Sequence, residues 1–299
     1  METMTAPVVY LFALAPAVIW GFTPILSKRG MAGGGSSLQA SLVAVSVDTG
    51  LYLIAIVAIQ DTSVFVDLPL VAVGLFLGAG VVGTALGRLA IFTGIDRVGA
   101  AVNTAAVSIR PLFATTLAVF LLGETVGVNT AVGIVVIVAG LGTLAVSKGG
   151  DLAGWSTTDL IFPVAAATFF AIGNVARRFG LVTFQDLTLL EAVAINEFGG
   201  FLALGTFAIV AGRRDVLTAP SRTYAYFAGS GTLTAVALLS LFAALQQGKV
   251  AIVDPLAATA PVFATFFSAV LLRDLEQVTR RVVAGAVLVA VGVAIITAV

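Results

Sequence analysis

The sequence predicts an all-α membrane protein with ten transmembrane helices in two inverted five-helix repeats. Three observations lead to this fold class: the composition, the spacing of the apolar runs, and an apolar phrase that occurs twice. Of 299 residues, 60% are hydrophobic and only 10% are charged, with a mean hydropathy of +1.13. A soluble domain carries about 25% charged residues, so this chain lacks the polar surface that contact with water requires.

The composition also limits the chemistry. The chain has no histidine and no cysteine, which removes disulfides, imidazole or thiolate metal ligands, and catalysis by either residue type. The formal net charge is zero, so we expect no nucleic-acid partner, and we expect no cofactor. The N-terminal stretch METMTAPVVY lacks the basic region of a signal peptide. We therefore expect a multi-pass protein of the cell membrane that keeps its first apolar segment.

Ten apolar runs are long enough to cross a bilayer, which takes about 20 residues. Their length and lack of alternation favour helices over a transmembrane β-barrel. The predicted spans are residues 7–27, 39–59, 69–95, 98–122, 126–147, 159–177, 186–211, 223–246, 249–272 and 279–298.

The repeated phrase divides the chain into two units. PLFATTLAVFLLGE at Pro111–Glu124 returns as PVFATFFSAVLLRD at Pro261–Asp274, 150 positions later. The predicted repeats are residues 1–149 and 150–299. Because each unit has an odd number of spans, the second enters the bilayer from the opposite side. Inverted repeats of this kind are common in alternating-access transporters; a duplication without mechanistic meaning is the alternative.

Two stretches resemble a known family. ALAPAVIWGFTPILSKRG, with its Trp20-Gly21 pair, resembles the first helix of the EamA-type permeases of the drug/metabolite transporter superfamily. GRLAIFTGIDRVGAAVNTAAVSIRPLFATTLAVFLLGETVGVNTAVGIVVIVAG resembles their third-to-fifth helix block. The resemblance covers nearly the whole chain and implies a secondary transporter with a central cavity for small metabolites, amino acids or drugs. Asp48 and Arg110 depart from the pattern of the family, so no particular substrate is implied.

Ionisable side chains inside the spans indicate where such a cavity lies. Each costs about 2.5–3.5 kcal/mol near the bilayer centre on insertion scales, so we expect them to face a cavity or one another. Asp48 and Glu197 occupy equivalent positions in the two halves, and we expect them to meet near the pseudo-two-fold axis. A carboxylate removed from water holds a proton more readily. One hypothesis is that they carry a coupling proton or pair with a cationic part of the substrate; the other is that they only neutralise Arg88 and Arg110.

Arg88 and Arg110 can also form a clamp for an anion, because guanidinium binds carboxylate or phosphate bidentately. Two arginines against several acids favour a zwitterionic substrate instead, such as an amino acid. The candidate substrate or coupling residues are Asp48, Glu197, Arg88, Arg110, Asn103, Trp20, Tyr52, Asn174, Glu191 and Asp254. The basic pairs Lys28-Arg29, Arg177-Arg178 and Arg213-Arg214 are predicted to be solvated interfacial anchors, and Glu124 and Asp274 to pair locally after their helices.

Prolines and glycines mark the predicted moving and packing parts. Prolines that remove a helical hydrogen bond fall in the first, fourth, sixth and ninth spans, which are partners in the repeat, and we expect these four helices to wall the cavity and flex. They are Pro16, Pro24, Pro111, Pro163, Pro255 and Pro261. Small-residue faces predict close helix contacts at Gly74, Gly78, Gly83 and Gly87, and in the fifth and tenth spans, which pack together or form a homodimer interface.

The function predicted from these features is secondary active transport of small metabolites such as amino acids or drug-like solutes, with export as the expected direction and proton coupling or exchange as the expected mode. One alternative is an anion, phospho-metabolite or nucleotide-sugar exchanger that uses Arg88 and Arg110. A membrane-embedded enzyme is disfavoured, because the short loops hold no aspartate pair spaced for a divalent metal. The loops that carry Lys28 and Arg97 are richer in basic residues, which predicts a cytoplasmic position for them. For the oligomeric state, the sequence is compatible with a monomer and with a homodimer.

Overall fold

The computed structural model describes residues 6–60, 68–125, 127–145, 150–151 and 154–297, and these are almost entirely helical. The first half contains α1 (Ala6–Ala32), α2 (Ser37–Ile59), α3 (Leu70–Ala79), a π-helical segment (Gly80–Leu86), α4 (Gly87–Val98), α5 (Ala100–Val107), α6 (Arg110–Leu122) and α7 (Val128–Ala145). The second half contains α8 (Ile161–Thr183), α9 (Leu189–Val210), α10 (Ser221–Gln247), α11 (Val250–Ala257), α12 (Ala260–Leu271) and α13 (Arg280–Thr297). Two-residue strands β1 (Gly150–Asp151) and β2 (Glu276–Gln277) form an antiparallel pair.

Each of the ten predicted apolar segments is helical in the structure. Among the described residues, eight helical segments are long and apolar enough to cross a membrane. The remaining two predicted spans, the fifth and tenth, are the 18-residue helices α7 and α13. The structure therefore supports a multi-pass integral membrane protein.

The second helix of each half begins with the same local device. At the start of α2, Gln39 N donates to Ser36 Oγ at 3.2 Å and Ser36 N donates to Gln39 Oε1 at 2.7 Å. At the start of α9, Thr188 and Glu191 make the reciprocal pair at 3.3 and 3.0 Å. These capping boxes satisfy N–H groups that have no partner within the helix. Glu191, predicted as a site residue, thus lies at a helix start and acts as a cap.

The fourth and ninth spans are broken, as their prolines predicted. The fourth divides into α5 and α6 around Ser108, and the ninth into α11 and α12 around Ala258. The first and sixth spans differ from the prediction because both are continuous. Pro16 and Pro24 lie inside α1. Pro163 lies in the first turn of α8, where a missing N–H leaves no hydrogen bond unmade, so it does not interrupt the helix.

Helices of one half pack against helices of the other half, and equivalent helices make equivalent contacts. α1 packs along α10, while its repeat partner α8 packs along α3, the π-helical segment and α4. α2 packs on α9, and α7 packs on α13. In the last pair, a Cβ on Gly140 would approach Gly285 O at 3.0 Å, and one on Gly292 would approach Gly133 O at 2.6 Å. The small-residue faces of the fifth and tenth spans therefore pack against each other within one chain.

The π-helical segment allows the closest contacts between the halves. Cβ atoms built on Gly83 and Gly173 would each come within 3.0 Å of the Cα of the other glycine. A Cβ on Gly80 would overlap the backbone carbonyl of Asn196. Gly74 and Gly78, predicted to share this packing face, have nothing within 4 Å of the Cβ position. Among the glycines of this stretch, Gly80, Gly83 and Gly87 therefore meet the other half, whereas Gly74 and Gly78 do not.

Contacts between loops group the helix ends at two ends of the bundle. Arg29, near the end of α1, donates to both carboxylate oxygens of Asp274, which follows α12. The Arg29 hydrogen bond holds the pKa of the Asp274 carboxyl below its usual value. β1, which precedes α8, pairs with β2, which also follows α12. At the other end, Gln60 Nε2 after α2 donates to Thr188 Oγ1 before α9 at 2.9 Å.

Glu124 and Asp274 each bind a partner in the other half of the chain. The prediction that each pairs locally is therefore wrong. Glu124 accepts hydrogen bonds from Val250 N and Ala251 N, both at 3.1 Å. These N–H groups begin α11, where a helix has unpaired donors. Each acidic side chain thus fastens the end of one half to the other half.

Two basic residues make matching contacts at equivalent positions. Lys28 Nζ donates to Asp96 O at 3.0 Å, and Arg178 Nη1 donates to Gln246 O at 2.8 Å. Both residue pairs are related by the offset of 150 that superposes Pro111 on Pro261. Cations at helix C-termini bind carbonyls without intrahelical partners. Lys28 is buried, so its predicted role as a solvated anchor is wrong.

Gly80→Ala is expected to lower the thermal unfolding midpoint in detergent. The added methyl group would overlap the Asn196 carbonyl, and overpacking costs about 1–3 kcal/mol. Gly78→Ala, two residues earlier, is the matched control, since its Cβ meets open space and alanine favours the helix. Equal midpoints for the two variants would contradict the close approach at Gly80.

Candidate functional site

The charged residues of the spans meet in the interior of the bundle. Arg88 on α4 donates through Nη2 to Asp48 Oδ2 on α2 and to Glu197 Oε2 on α9, the latter at 2.9 Å. Both carboxylates are fully buried, and the Arg88 side chain is 7% exposed. Asp48 and Glu197 therefore meet as their equivalent positions predicted, with a guanidinium between them.

A second buried ion pair joins Arg110 at the start of α6 to Asp254 on α11. Arg110 Nε lies 2.9 Å from Asp254 Oδ1 and donates to Oδ2 at 3.0 Å. Asn174 Nδ2 on α8 also donates to Asp254 Oδ1, at 2.6 Å. Asp254 is fully buried, so its charge depends on these partners rather than on water.

Arg177 on α8 connects the two ion clusters. Its Nη1 donates to Asn174 Oδ1 at 2.9 Å, its Nε to Asn196 Oδ1 at 3.0 Å, and its Nη2 to Thr84 Oγ1 at 3.2 Å. Thr84 Oγ1 and Asn196 Nδ2 then donate to Glu197 Oε1 at 2.7 and 2.8 Å. One hydrogen-bonded network therefore runs from Asp48 to Asp254.

The prediction for Arg177 is wrong, because the residue is a buried member of this network and not an interfacial anchor. It is 3% exposed, and its guanidinium lies 5.3 Å from the centroid of the Phe242 ring. α8 continues to Thr183, six residues beyond the predicted end of the span, which places Arg177 inside the bundle. Arg178, its neighbour, is half-buried and caps α10 as described above.

The network is balanced in charge and draws on both halves. Among the described residues it contains three guanidinium groups, from Arg88, Arg110 and Arg177, and three carboxylates, from Asp48, Glu197 and Asp254. A buried ion is tolerated when it is paired and hydrogen-bonded. Equal numbers of the two charges make the assembly neutral overall, which suits a position inside the bilayer.

A cavity lies on one side of this network, and its volume is about 930 Å³ including its open mouth. Its lining comes from both halves of the chain. The residues that line it are Trp20, Thr23, Pro24, Gly83, Thr84, Arg88, Ile91, Phe92, Ile95, Thr104, Val107, Ser108, Arg110, Phe170, Asn174, Arg177, Ser230, Thr234, Leu238, Leu241, Ala257, Ala258 and Ala260. Ligand sites in helical proteins often lie between the helices of a bundle, so this space is the candidate site for a small molecule.

The lining separates the two charges of the network. All three arginines line the cavity, whereas none of Asp48, Glu197 and Asp254 is among the described residues that line it. The guanidinium groups therefore stand between the carboxylates and the open space. A ligand in the cavity meets positive charge first, with the negative charge behind it.

Aromatic residues at equivalent positions also line the cavity. Trp20 on α1 and Phe170 on α8 are 150 residues apart and both contribute to the wall. The Arg110 guanidinium lies 5.7 Å from the centroid of the Trp20 ring, within the range of a cation–π contact. Trp20 was predicted in the wall or in a packing role, and in the structure it lines the cavity and also packs against the buried core.

Other predicted site residues lie outside the cavity lining. Tyr52 donates its hydroxyl to Ala235 O at 2.5 Å and joins α2 to α10. Asn103 is fully buried beside Gly94. The described residues contain no group of three or more acidic side chains placed to hold a metal ion.

Sequence reasoning missed four contributors: Arg177, Asn196, Thr84 and Phe170. Three of them had a usable signal. Thr84 precedes Arg88 by one helical turn, Asn196 is adjacent to Glu197, and Phe170 lies 150 residues after Trp20. The sequence signal at Arg177 was misleading, because a pair of arginines near the end of an apolar run is typical of the membrane–water interface.

Comparisons with known proteins agree with this architecture. Residues 7–146 and 158–298 each match the family model described as the EamA-like transporter family. No curated protein matches the chain. Among solved structures, 23 chains match. One, titled "Crystal structure of protein", superposes with a TM-score of 0.70 over 97% of this chain and 96% of that chain, at 16% sequence identity. At this identity the similarity shows the fold alone.

Asp254→Asn is expected to destabilise the protein, because Arg110 then keeps its charge without a counter-ion. Removing one partner of a buried pair costs about 3–5 kcal/mol. The double variant Arg110→Gln/Asp254→Asn is expected to recover part of the loss, and thermal unfolding in detergent measures both. Asp274→Asn, at an exposed pair, is the control and should leave the midpoint nearly unchanged because water screens that pair. A single variant as stable as the control would contradict the buried pairing.

Proposed function

Because the chain belongs to the EamA-like transporter family, we propose that it is a secondary transporter that moves a small solute through the central cavity by alternating access. The observation that carries this proposal is the cavity itself, which both halves line and which lies against a charged network inside the bundle. In secondary transporters the substrate site lies at the interface of repeats near the middle of the membrane.

The contacts at the helix ends support the predicted inversion of the halves. The end of α1 and the start of α8 both lie close to the segment after α12, through Arg29–Asp274 and through β1–β2. α1 and α8 are equivalent helices. Because the end of α1 and the start of α8 lie near the same segment, the two helices run in opposite directions. This is the arrangement expected of repeats related by an axis in the membrane plane.

We further propose that α7 and α13 also cross the bilayer and complete ten spans. Eighteen residues extend about 27 Å at 1.5 Å per residue, close to the hydrocarbon thickness of about 30 Å. α7 and α13 pack on each other through glycine faces, as membrane helices do. The bounds 1–149 and 150–299 then each hold five spans.

The broken fourth and ninth spans are the proposed moving parts. Their breaks place Ser108 and Ala258, which are 150 residues apart, on the wall of the cavity. At a break, backbone angles change without disrupting a continuous ladder of helical hydrogen bonds. Movement of α5 against α6, and of α11 against α12, would expose the cavity to each side in turn.

We propose that Asp48 and Glu197 couple transport to protons through Arg88 and do not contact the substrate. Both carboxylates hold the same guanidinium, and among the described residues Asp48 Oδ1 has no hydrogen-bond partner. A proton on Asp48 would weaken its hold on Arg88 and leave that guanidinium freer to bind a solute. Protonation and substrate binding are then linked, as coupling requires.

Cysteine labelling tests the inversion and the alternating access in one experiment. The chain has no native cysteine, so single cysteines can be introduced at Ala32, Thr157 and Gln185, which lie at helix ends, and at Thr234 in the cavity. In oriented vesicles, an impermeant maleimide is expected to reach positions 32 and 157 from the same side, the cytoplasmic one, and position 185 from the other. Position 234 is expected to react from both sides in turn.

Val135→Cys on the exposed face of α7 is the control for this labelling and should not react, because lipid surrounds it. Labelling of positions 32 and 157 from opposite sides would contradict the inversion. Labelling of position 234 from one side only, under all gradients, would contradict alternating access.

Asp48→Asn and Glu197→Gln are expected to uncouple transport from the pH gradient. A thermal-shift panel of amino acids, organic acids and phosphate esters first identifies a solute that binds the purified protein. Its uptake into proteoliposomes is then measured with and without an imposed pH gradient. Wild-type uptake should respond to the gradient and uptake by the variants should not, whereas the exposed Asp274→Asn control should behave as wild type. An unchanged pH response in both variants would reject the coupling role.

A further inference from the structure

We infer that the cavity binds a small organic anion whose charged group is attached to an apolar body. This inference rests on the proposed function, since it names the class of solute that the transporter carries. Four features of the site support it: the charge that faces the cavity, unpaired donors on two arginines, the apolar opposite wall, and the relation of these walls through the repeat.

The first feature is the sign of the charge that faces the cavity. Arg88, Arg110 and Arg177 line it, while the three buried carboxylates lie behind them. The low-dielectric walls of a cleft strengthen the field of the charges that line it. A carboxylate or phosphate group is therefore attracted, and the ammonium group of an amine or amino acid would meet guanidinium groups and no acid. The separation thus disfavours the zwitterionic substrate expected from the sequence.

The second feature is a set of donors that lack acceptors. Among the described residues, Arg88 Nη1, Arg110 Nη2 and Thr104 Oγ1 are buried and have no hydrogen-bond partner. All three residues line the cavity, and both arginine side chains are only 7% exposed. A buried donor without a partner is costly, and more so on a charged group. An anion supplies such donors with acceptors through charge-assisted hydrogen bonds, which are stronger than those between neutral groups.

The third feature is the composition of the opposite wall. α10, α11, α12 and the break between α11 and α12 contribute Leu238, Leu241, Ala257, Ala258 and Ala260 to the lining, along with two neutral hydroxyl residues of α10, Ser230 and Thr234. None of these side chains carries a charge that could pair with a second charged group. Apolar atoms of a ligand are stabilised there by about 25 cal/mol for each Å² removed from water. The site therefore accommodates one charged end and one apolar end.

The fourth feature is that positions equivalent in the two repeats carry different side chains where they line the cavity. At the offset of 150 residues, Arg88 corresponds to Leu238 and Arg110 corresponds to Ala260, and all four residues line the same cavity. The pseudo-two-fold axis thus relates a cationic wall to an apolar wall. An inorganic anion would use only the first, whereas an organic anion uses both.

Binding to purified full-length protein tests the inference with matched probes. Benzoate, benzamide and benzylamine have the same ring with negative, neutral and positive groups, and isothermal titration measures their affinities. Benzoate is expected to bind at least tenfold more tightly than the other two. Acetate and inorganic phosphate, which lack an apolar body, are expected to bind at least tenfold more weakly than benzoate. Phenyl phosphate distinguishes a phosphate ester from a carboxylate as the preferred anion.

Conservative variants locate the binding without removing the buried charges. Arg88→Lys and Arg110→Lys keep a cation beside the carboxylates but lose the unpaired guanidinium donor, and Thr104→Val loses the unpaired hydroxyl. Each is expected to weaken benzoate binding at least tenfold. Arg29→Lys, outside the cavity, is the control and should bind as wild type. Thermal unfolding of each variant establishes that it is folded.

Several outcomes would overturn the inference: equal affinity for benzoate and benzamide, tighter binding of benzylamine, tighter binding of acetate or inorganic phosphate, or wild-type affinity in all three cavity variants. Failure here is distinguishable from failure of the transport proposal. If position 234 is labelled from both sides but benzoate does not bind, transport stands and the substrate class is wrong. If benzoate binds but position 234 is reached from one side only, the site stands and the transport mechanism is wrong.

Discussion

A guanidinium held between two carboxylates, out of contact with water, is the interaction on which the rest of this structure depends. Arg88 binds Asp48 from its own half and Glu197 from the other. A buried charge without a partner costs several kcal/mol, so α2, α4 and α9 are stable inside the bundle only when they assemble together. The same contact joins the two repeats and sets one wall of the cavity.

The order of the charges gives the site its character. The network is neutral overall, which makes it compatible with the bilayer, yet its positive groups face the cavity and its negative groups lie behind them. A site built in this way attracts an anion without a net buried charge. Because the Arg88 and Arg110 guanidinium groups are also bound by carboxylates, a change in the protonation of those acids alters how freely these two arginines can serve a ligand.

Symmetry is kept at the periphery of the molecule and lost at its centre. Lys28 and Arg178 make the same contact to a helix C-terminus at equivalent positions of the two halves. The cavity positions differ instead, with Arg88 opposite its counterpart Leu238. Peripheral contacts hold the helices of each half in equivalent places, and they can stay alike because both halves share one fold. A solute of the proposed kind has no two-fold symmetry, so a cavity that binds it requires two different walls.

The sequence by itself determined the membrane class, the approximate positions of the helical segments, the repeat, and the meeting of Asp48 with Glu197. These features depend on local apolar runs of bilayer length and on an internal offset, both of which are visible in one chain. Only the tertiary structure decided which partners the charges have. Periodicity does not say which helices are neighbours, nor that Gly83 and Gly87 contact the other half while Gly74 and Gly78 do not. The six extra residues of α8 carried Arg177 from the expected interface into the network, because depth in a bundle follows from packing and not from residue type.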